Sequence, residues 1–102
     1  MTIVSGDGRF EWDSTKDKEN RRKHLLSFEE ILDVFDDPAF LEIDDEEHSV
    51  FEERFRGIGS IRGIVIITTC FVERGERIRI INARRATAYE EGIYNENFKK
   101  YF

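Results

Sequence analysis

Hydrophobic positions come in short phased groups separated by polar runs. Phe10-Glu11-Trp12 alternates as a strand does, and Asp13 behind it is placed to cap a helix running to about His24. Residues 14–24 contain no apolar side chain, so the helix has no stripe to bury. Its buried surface is expected at its ends, Trp12 on one side and Leu25-Leu26 on the other. One face carries Lys16, Asn20, Lys23 and His24, at i, i+4, i+7 and i+8. Ser27-Phe28-Glu29-Glu30 has the capping-box form and opens a second helix, in which Phe28, Ile31, Leu32 and Phe35 recur at core-facing spacing and which Pro38 ends.

The second half predicts a three-stranded meander over about 50–58, 62–73 and 77–83, with a further strand near 40–43. Arg74-Gly75-Glu76 is a hairpin connection in which Gly75 supplies a positive φ. Residues 64–67 are apolar on both faces, as in a central strand covered on two sides. Thr87-Ala88-Tyr89-Glu90 repeats the capping box and opens a closing helix to about Phe98, weakened by Gly92. The pattern is that of an α+β fold: an antiparallel sheet packed with two N-terminal helices and a C-terminal helix. It forms one domain over residues 1–102, with 1–8 expected as a flexible N-terminus.

Composition supports one small core. The chain has 102 residues, and nine Phe, three Tyr and one Trp supply bulk against a charged fraction of 37%, which excludes a disordered chain. Sixteen basic against twenty-two acidic residues give a net charge of -6, the wrong sign for gripping nucleic acid by bulk attraction. The charge is segregated, however. Residues 29–47 hold ten acids and no Lys or Arg, whereas 54–85 hold eight Arg and only Glu73 and Glu76 as acids. Strand alternation puts Arg54 and Arg56 on one face and Arg77 and Arg79 on one face. Four guanidinium groups then line one side of the sheet, with Arg84 and Arg85 at its end, as a candidate phosphate-binding surface. A single cysteine, Cys70, excludes an intrachain disulfide and reads as a small buried residue. No secretion signal or membrane-length apolar run appears, so a cytoplasmic protein is expected.

Common sites fall away on inspection. Gly57, Gly59 and Gly63 miss the dinucleotide-binding spacing, and a strand follows them where a helix is needed. His24, His48 and Cys70 lack close zinc-ligand spacing, and Asp44-Asp45-Glu46-Glu47 lacks the spaced ligands of a calcium loop, reading instead as a solvated acidic loop. No metal and no cofactor are expected. What remains is Lys, His and Arg chemistry on phosphate.

The ordered motifs over residues 9–94 resemble the BrnT toxins of bacterial type II toxin-antitoxin systems, similar in fold to the RelE-like messenger-RNA nucleases. They are Phe10-Glu11-Trp12-Asp13 with Lys16, Asn20, Lys23 and His24; Ser27-Phe28-Glu29-Glu30 and Val34-Phe35 before Asp37-Pro38; His48-Ser49, Glu53-Arg54 and Ile58-Gly59; then Arg79-Ile80-Ile81 through Ala83-Arg84-Arg85-Ala86-Thr87 to Glu90 and Tyr94. The resemblance implies a metal-independent endoribonuclease that blocks translation and is neutralised by a BrnA-like antitoxin. The RNA 2′-hydroxyl would attack its adjacent phosphate, which needs a proton acceptor, cations beside the phosphorane and a donor for the leaving 5′-oxygen. The resemblance points to His24 as acid or base, Arg84 and Arg85 as a phosphate clamp, and Lys23 and Arg54 as further cations. Glu90 and Tyr94, one helical turn apart, would orient substrate or assist proton transfer, and Arg56, Arg77 and Arg79 would contact RNA. Leu25 stands where the family usually has Gly, so the helix end carrying His24 is expected to be set differently; Glu91 stands where the family tends to be basic. The alternative is a non-catalytic module of the same fold that binds an antitoxin or RNA, with Arg84 and Arg85 serving only as ion-pair partners.

Overall fold

The computed structural model describes residues 1–44 and 52–102. Its elements are β1 (Thr2–Val4), β2 (Phe10–Asp13), α1 (Ser14–His24), α2 (Phe28–Ile31) with a 3₁₀ turn Leu32–Asp36 continuing it, β3 (Leu41–Asp44), β4 (Phe55–Ile61), β5 (Val65–Arg74), β6 (Arg77–Arg85) and α3 (Ala88–Lys99). All three expected caps form. Asp13 accepts from the N–H of Lys16, and reciprocal capping boxes join Ser27 to Glu30 and Thr87 to Glu90.

The six strands form one sheet in the order β1-β2-β6-β5-β4-β3. Every neighbouring pair is antiparallel except β2 with β6, whose parallel pairing sets Phe10 beside Ile78 and Glu11 beside Arg79. The expected meander is thus the centre of a larger, mixed sheet. Residues 1–8, read as a flexible N-terminus, include β1, which pairs with β2 at the sheet edge. The β4–β5 turn lies later than the sequence suggested. Arg62 and Gly63 both take positive φ, 55° and 68°, so the turn forms there, β4 runs on to Ile61 and the exposed Ile64 belongs to the turn. The expected strand start at Val50, the acids Asp45, Glu46 and Glu47, and His48 lie outside the described residues.

Each face of the sheet is closed by its own helical layer. On one face Phe10, Trp12, Ile67, Phe71 and Ile80 pack beneath Phe28, Ile31 and Val34 of α2 and the 3₁₀ turn. Gly59 of β4 permits that approach, since a Cβ there would stand 2.8 Å from the Val34 carbonyl oxygen. On the other face α3 sets Tyr94 against Ile58 and Ala39, with Ile66 alongside. A β-bulge then decides what each face displays. Phe71 pairs with Ile80 but Cys70 with Asn82, so Ile81 is an extra residue in β6 and the alternation changes phase across it. Before the bulge Arg77 and Arg79 pair with Arg74 and Val72; after it Asn82 and Arg84 pair with Cys70 and Thr68. All share the α3 face, together with Arg56, which pairs with Cys70 from the other side.

Candidate active site

Helix α1 attaches to the sheet through polar contacts, as its composition requires. Asn20 is its one buried residue. Beyond the end of β2, the outer edge of β6 offers an unpaired N–H at Ala83, which donates to Asn20 Oδ1 at 3.1 Å, while Asn20 Nδ2 donates to the Leu26 carbonyl at 3.0 Å. One turn earlier, Asp17 Oδ1 accepts from the N–H of Phe28 at 2.8 Å, tying α1 to the start of α2. Of the ends expected to bury surface, Trp12 is buried and Leu26 half-buried, but Leu25 is 86% exposed. Leu25 closes the helix in the left-handed region, φ 59° and ψ 31°, with its N–H bonded to the Arg21 carbonyl. The turn that glycine would make is therefore kept, and the expectation that Leu25 resets the helix end is not met.

This seating opens a cavity of about 340 Å³ between α1 and the edge of β6, lined by Lys16, Glu19, Asn20, Lys23, His24, Ile81, Asn82 and Arg84. Three cations thus stand against one carboxylate around a histidine. The face carrying Lys16, Asn20, Lys23 and His24 is the face turned to β6, and the bulge delivers Asn82 and Arg84 to meet it.

Arg84 is fixed from behind. Its Nη1 and Nη2 donate to Glu90 Oε1 and Oε2 at 2.6 and 3.0 Å, and Arg56 Nη1 lies 3.5 Å from Glu90 Oε2. Glu90 is 3% exposed. Burial opposes its ionisation, but the Arg84 hydrogen bonds, the Thr87 N–H and the Arg84 charge outweigh it and pull the carboxyl from 4.5 down to about 2. The buried Thr68 hydroxyl adds a smaller effect, although its approach falls short of a full hydrogen bond. Glu90 is therefore a carboxylate at neutral pH and orients Arg84, whose guanidinium keeps further N–H donors for a ligand.

The remaining expected residues are dispersed. Arg85 pairs with Ile67 and stands on the opposite sheet face from Arg84, beside Leu25, Leu26, Glu29 and Asp33. The two arginines expected to clamp one phosphate are separated because adjacent strand residues face opposite ways. Tyr94 is buried, and its hydroxyl donates to Asp37 Oδ2 at 2.6 Å while lying 3.2 Å from Ser60 Oγ. Burial, with the Asp37 carboxylate, pushes the Tyr94 phenol up. Burial also works against the Asp37 charge, yet the bonds it accepts from Tyr94, Ala39 and Ser60 hold it below the usual range. That network ties α3 to the loop after the 3₁₀ turn and to β4. Arg79 is paired with Glu11, Arg77 donates to the Gly8 carbonyl, and Arg54 precedes β4, away from the cavity. Sequence reading gave Asn20 a place on the active face but no task, although a lone buried amide on an otherwise exposed helix is the kind of residue that carries one. Asn82 it missed, because nothing local in the sequence marks the bulge.

Among the described residues no three His, Cys, Asp or Glu side chains gather as metal ligands, and no helix is long and apolar enough to cross a membrane.

The sequence model of the ribonuclease toxin BrnT, of type II toxin-antitoxin systems, matches residues 12–90. The chain belongs to the BrnT family. The match runs from Trp12, just ahead of α1, to Glu90, so it takes in every residue lining the cavity. The chain is also similar to the crystal structure of the Brucella abortus ribonuclease toxin BrnT, with 27% identity over 74% of this chain and 92% of that one, at a TM-score of 0.61. No curated protein matches significantly. Family and fold agree with the sequence reading: a mostly antiparallel sheet with two N-terminal helices and a C-terminal one.

Proposed function

We propose that this chain is an active, metal-independent endoribonuclease and that its cleavage site is the cavity between α1 and β6. The observation that carries this reading is the convergence of His24, Lys23 and Lys16 on one wall with Arg84, aimed by Glu90, on the other. An RNA phosphate seated there meets the groups that an in-line attack needs. The 2′-oxygen bonds to phosphorus as its proton passes to a base, and the bond to the 5′-oxygen breaks as that oxygen gains a proton. His24 serves one of those proton transfers, and Arg84 with Lys23 neutralises charge on the phosphorane. The products are a 2′,3′-cyclic phosphate and a 5′-hydroxyl. Glu90 orients Arg84. Arg56 and Arg77 extend the cationic face along which the flanking RNA runs, while Arg79, tied to Glu11, and Arg54 contribute mainly charge. In the cell the protein inhibits translation in the cytoplasm until a BrnA-like antitoxin covers this face.

The deciding experiment incubates purified protein with single-stranded RNA, with and without chelator. Cleavage leaving cyclic phosphate ends in both is expected. Activity lost in chelator and restored by magnesium would overturn metal independence. If no RNA is cleaved but antitoxin or RNA is bound, the non-catalytic reading stands, with the Glu90 ion pairs serving the fold alone.

A further inference from the structure

We infer that Asn20 is a positioning residue: its buried amide sets the distance between His24 and Arg84. The inference rests on the reading of the α1–β6 cavity as the cleavage site, and it assigns a task to the buried amide at its floor. Asn20 is 5% exposed. Its two hydrogen bonds run in opposite senses to the two walls of the cavity. Nδ2 holds the Leu26 carbonyl, so that the amide brackets the short segment carrying Lys23 and His24 between residues 20 and 26. Oδ1 holds the N–H of Ala83, the residue between Asn82 and Arg84. One planar group is thus joined to the backbone on either side of His24 and to the backbone next to Arg84.

Strand β2 ties the start of α1 to β6, but toward the His24 end other means of holding the two walls are sparse among the described residues. Helix α1 has no apolar residue to press against β6, and the Asp17 bond to Phe28 leads to α2, away from β6. His24 follows Asn20 by four residues and Lys23 by three, so both lie on the same side of the helix as the amide and move with it. Because the left-handed residue Leu25 lies between His24 and Leu26, the Leu26 bond also keeps the helix end from unwinding across the histidine. The amide supplies a donor and an acceptor on one short planar group, and both are used. Loss of the amide leaves the cations in place as separate charges but frees their spacing, and misplacement on the order of 1 Å costs about a hundredfold in rate.

The test compares Asn20→Ala with the unaltered chain in three measurements: kcat and KM for cleavage of single-stranded RNA, the thermal midpoint, and the movement of the His24 ring resonances on adding inorganic phosphate. Expected for Asn20→Ala, below its melting temperature, is a loss in kcat of about 10- to 100-fold with KM changed far less. Phosphate, which moves the His24 resonances in the unaltered chain, should no longer do so. Asn20→Asp keeps the acceptor for Ala83 but sets a second acceptor oxygen against the Leu26 carbonyl, and is the variant to measure if Asn20→Ala does not fold; a loss in kcat of similar size is expected. A folded variant that keeps kcat, or keeps the phosphate response of His24, overturns the positioning role and leaves the cleavage site intact. If the unaltered chain cleaves no RNA and its His24 ignores phosphate, the cleavage-site reading fails and this inference with it.

Discussion

Single residues in the cavity separate chemistry from fold. His24 is exposed at the end of a helix anchored elsewhere, so His24→Ala should change stability by no more than about 1 kcal/mol. Its cleavage rate should fall by about a hundred- to ten-thousand-fold, as for other general acids and bases. Arg84→Ala should lose about a hundred- to thousand-fold, by analogy with an oxyanion donor. Arg85→Ala, on the other sheet face, should lose only a small part of that, and Arg62→Ala, in the β4–β5 turn, nothing. Rates and thermal midpoints measured in parallel check the set; activity that tracks stability in His24→Ala and Arg84→Ala would remove both from the mechanism. Leu25 makes a separate point. An exposed leucine held at φ 59° gives up little packing and carries backbone strain, so Leu25→Gly should stabilise the chain by about 1 kcal/mol. For a domain of this size that raises the thermal midpoint by roughly 4–8 °C, readable by calorimetry.

At the scale of elements, α3 is joined to the sheet by charge as well as by packing. Glu90 titrates near 4.5 in the unfolded chain and near 2 in the fold, so its contribution to stability is complete above 4.5 and is lost as pH falls through about 2. The difference between the two states is equivalent to a few kcal/mol of stability. Chemical denaturation across that window should show this loss in the unaltered chain and a flatter profile in Glu90→Gln, which should already be weaker at pH 7 because Arg84 and Arg56 lose their counter-charge. Elements were the most legible part of the sequence, because caps are written locally: Asp13, Ser27 and Thr87 each open the helix expected of them. Pairing was less legible. The parallel contact of β2 with β6 joins residues far apart in the chain, and the edge strand β1 is too short to show alternation. The site residues divided along the same line. The α1 face was visible from helical spacing, and strand alternation alone separates Arg84 from Arg85, whereas which of the two meets α1 depended on a bulge that only strand pairing reveals.

Across the whole molecule the sheet separates the charges that the sequence segregates. Glu29, Asp33 and Asp36 are exposed with α2 and the 3₁₀ turn on one side, whereas Arg56, Arg77 and Arg84 belong to the face on the other. A net charge of -6 therefore coexists with a cationic face. A cognate antitoxin that blocks cleavage by covering that face should lose affinity when Arg84 is reversed to Glu and much less when Arg85 is; equal losses in a titration of the two variants would place the antitoxin across both sides of β6. The bulge at Ile81 also bears on how such a chain tolerates change. Neighbouring strand residues have opposite parity, so an arginine doublet presents one guanidinium to each side of the sheet in either phase. Gain or loss of one residue earlier in β6 exchanges the roles of residues 84 and 85 and still leaves a cation facing α1. The doublet therefore buffers the site against slippage of its own strand, and two relatives that both read Arg-Arg here need not use the same arginine.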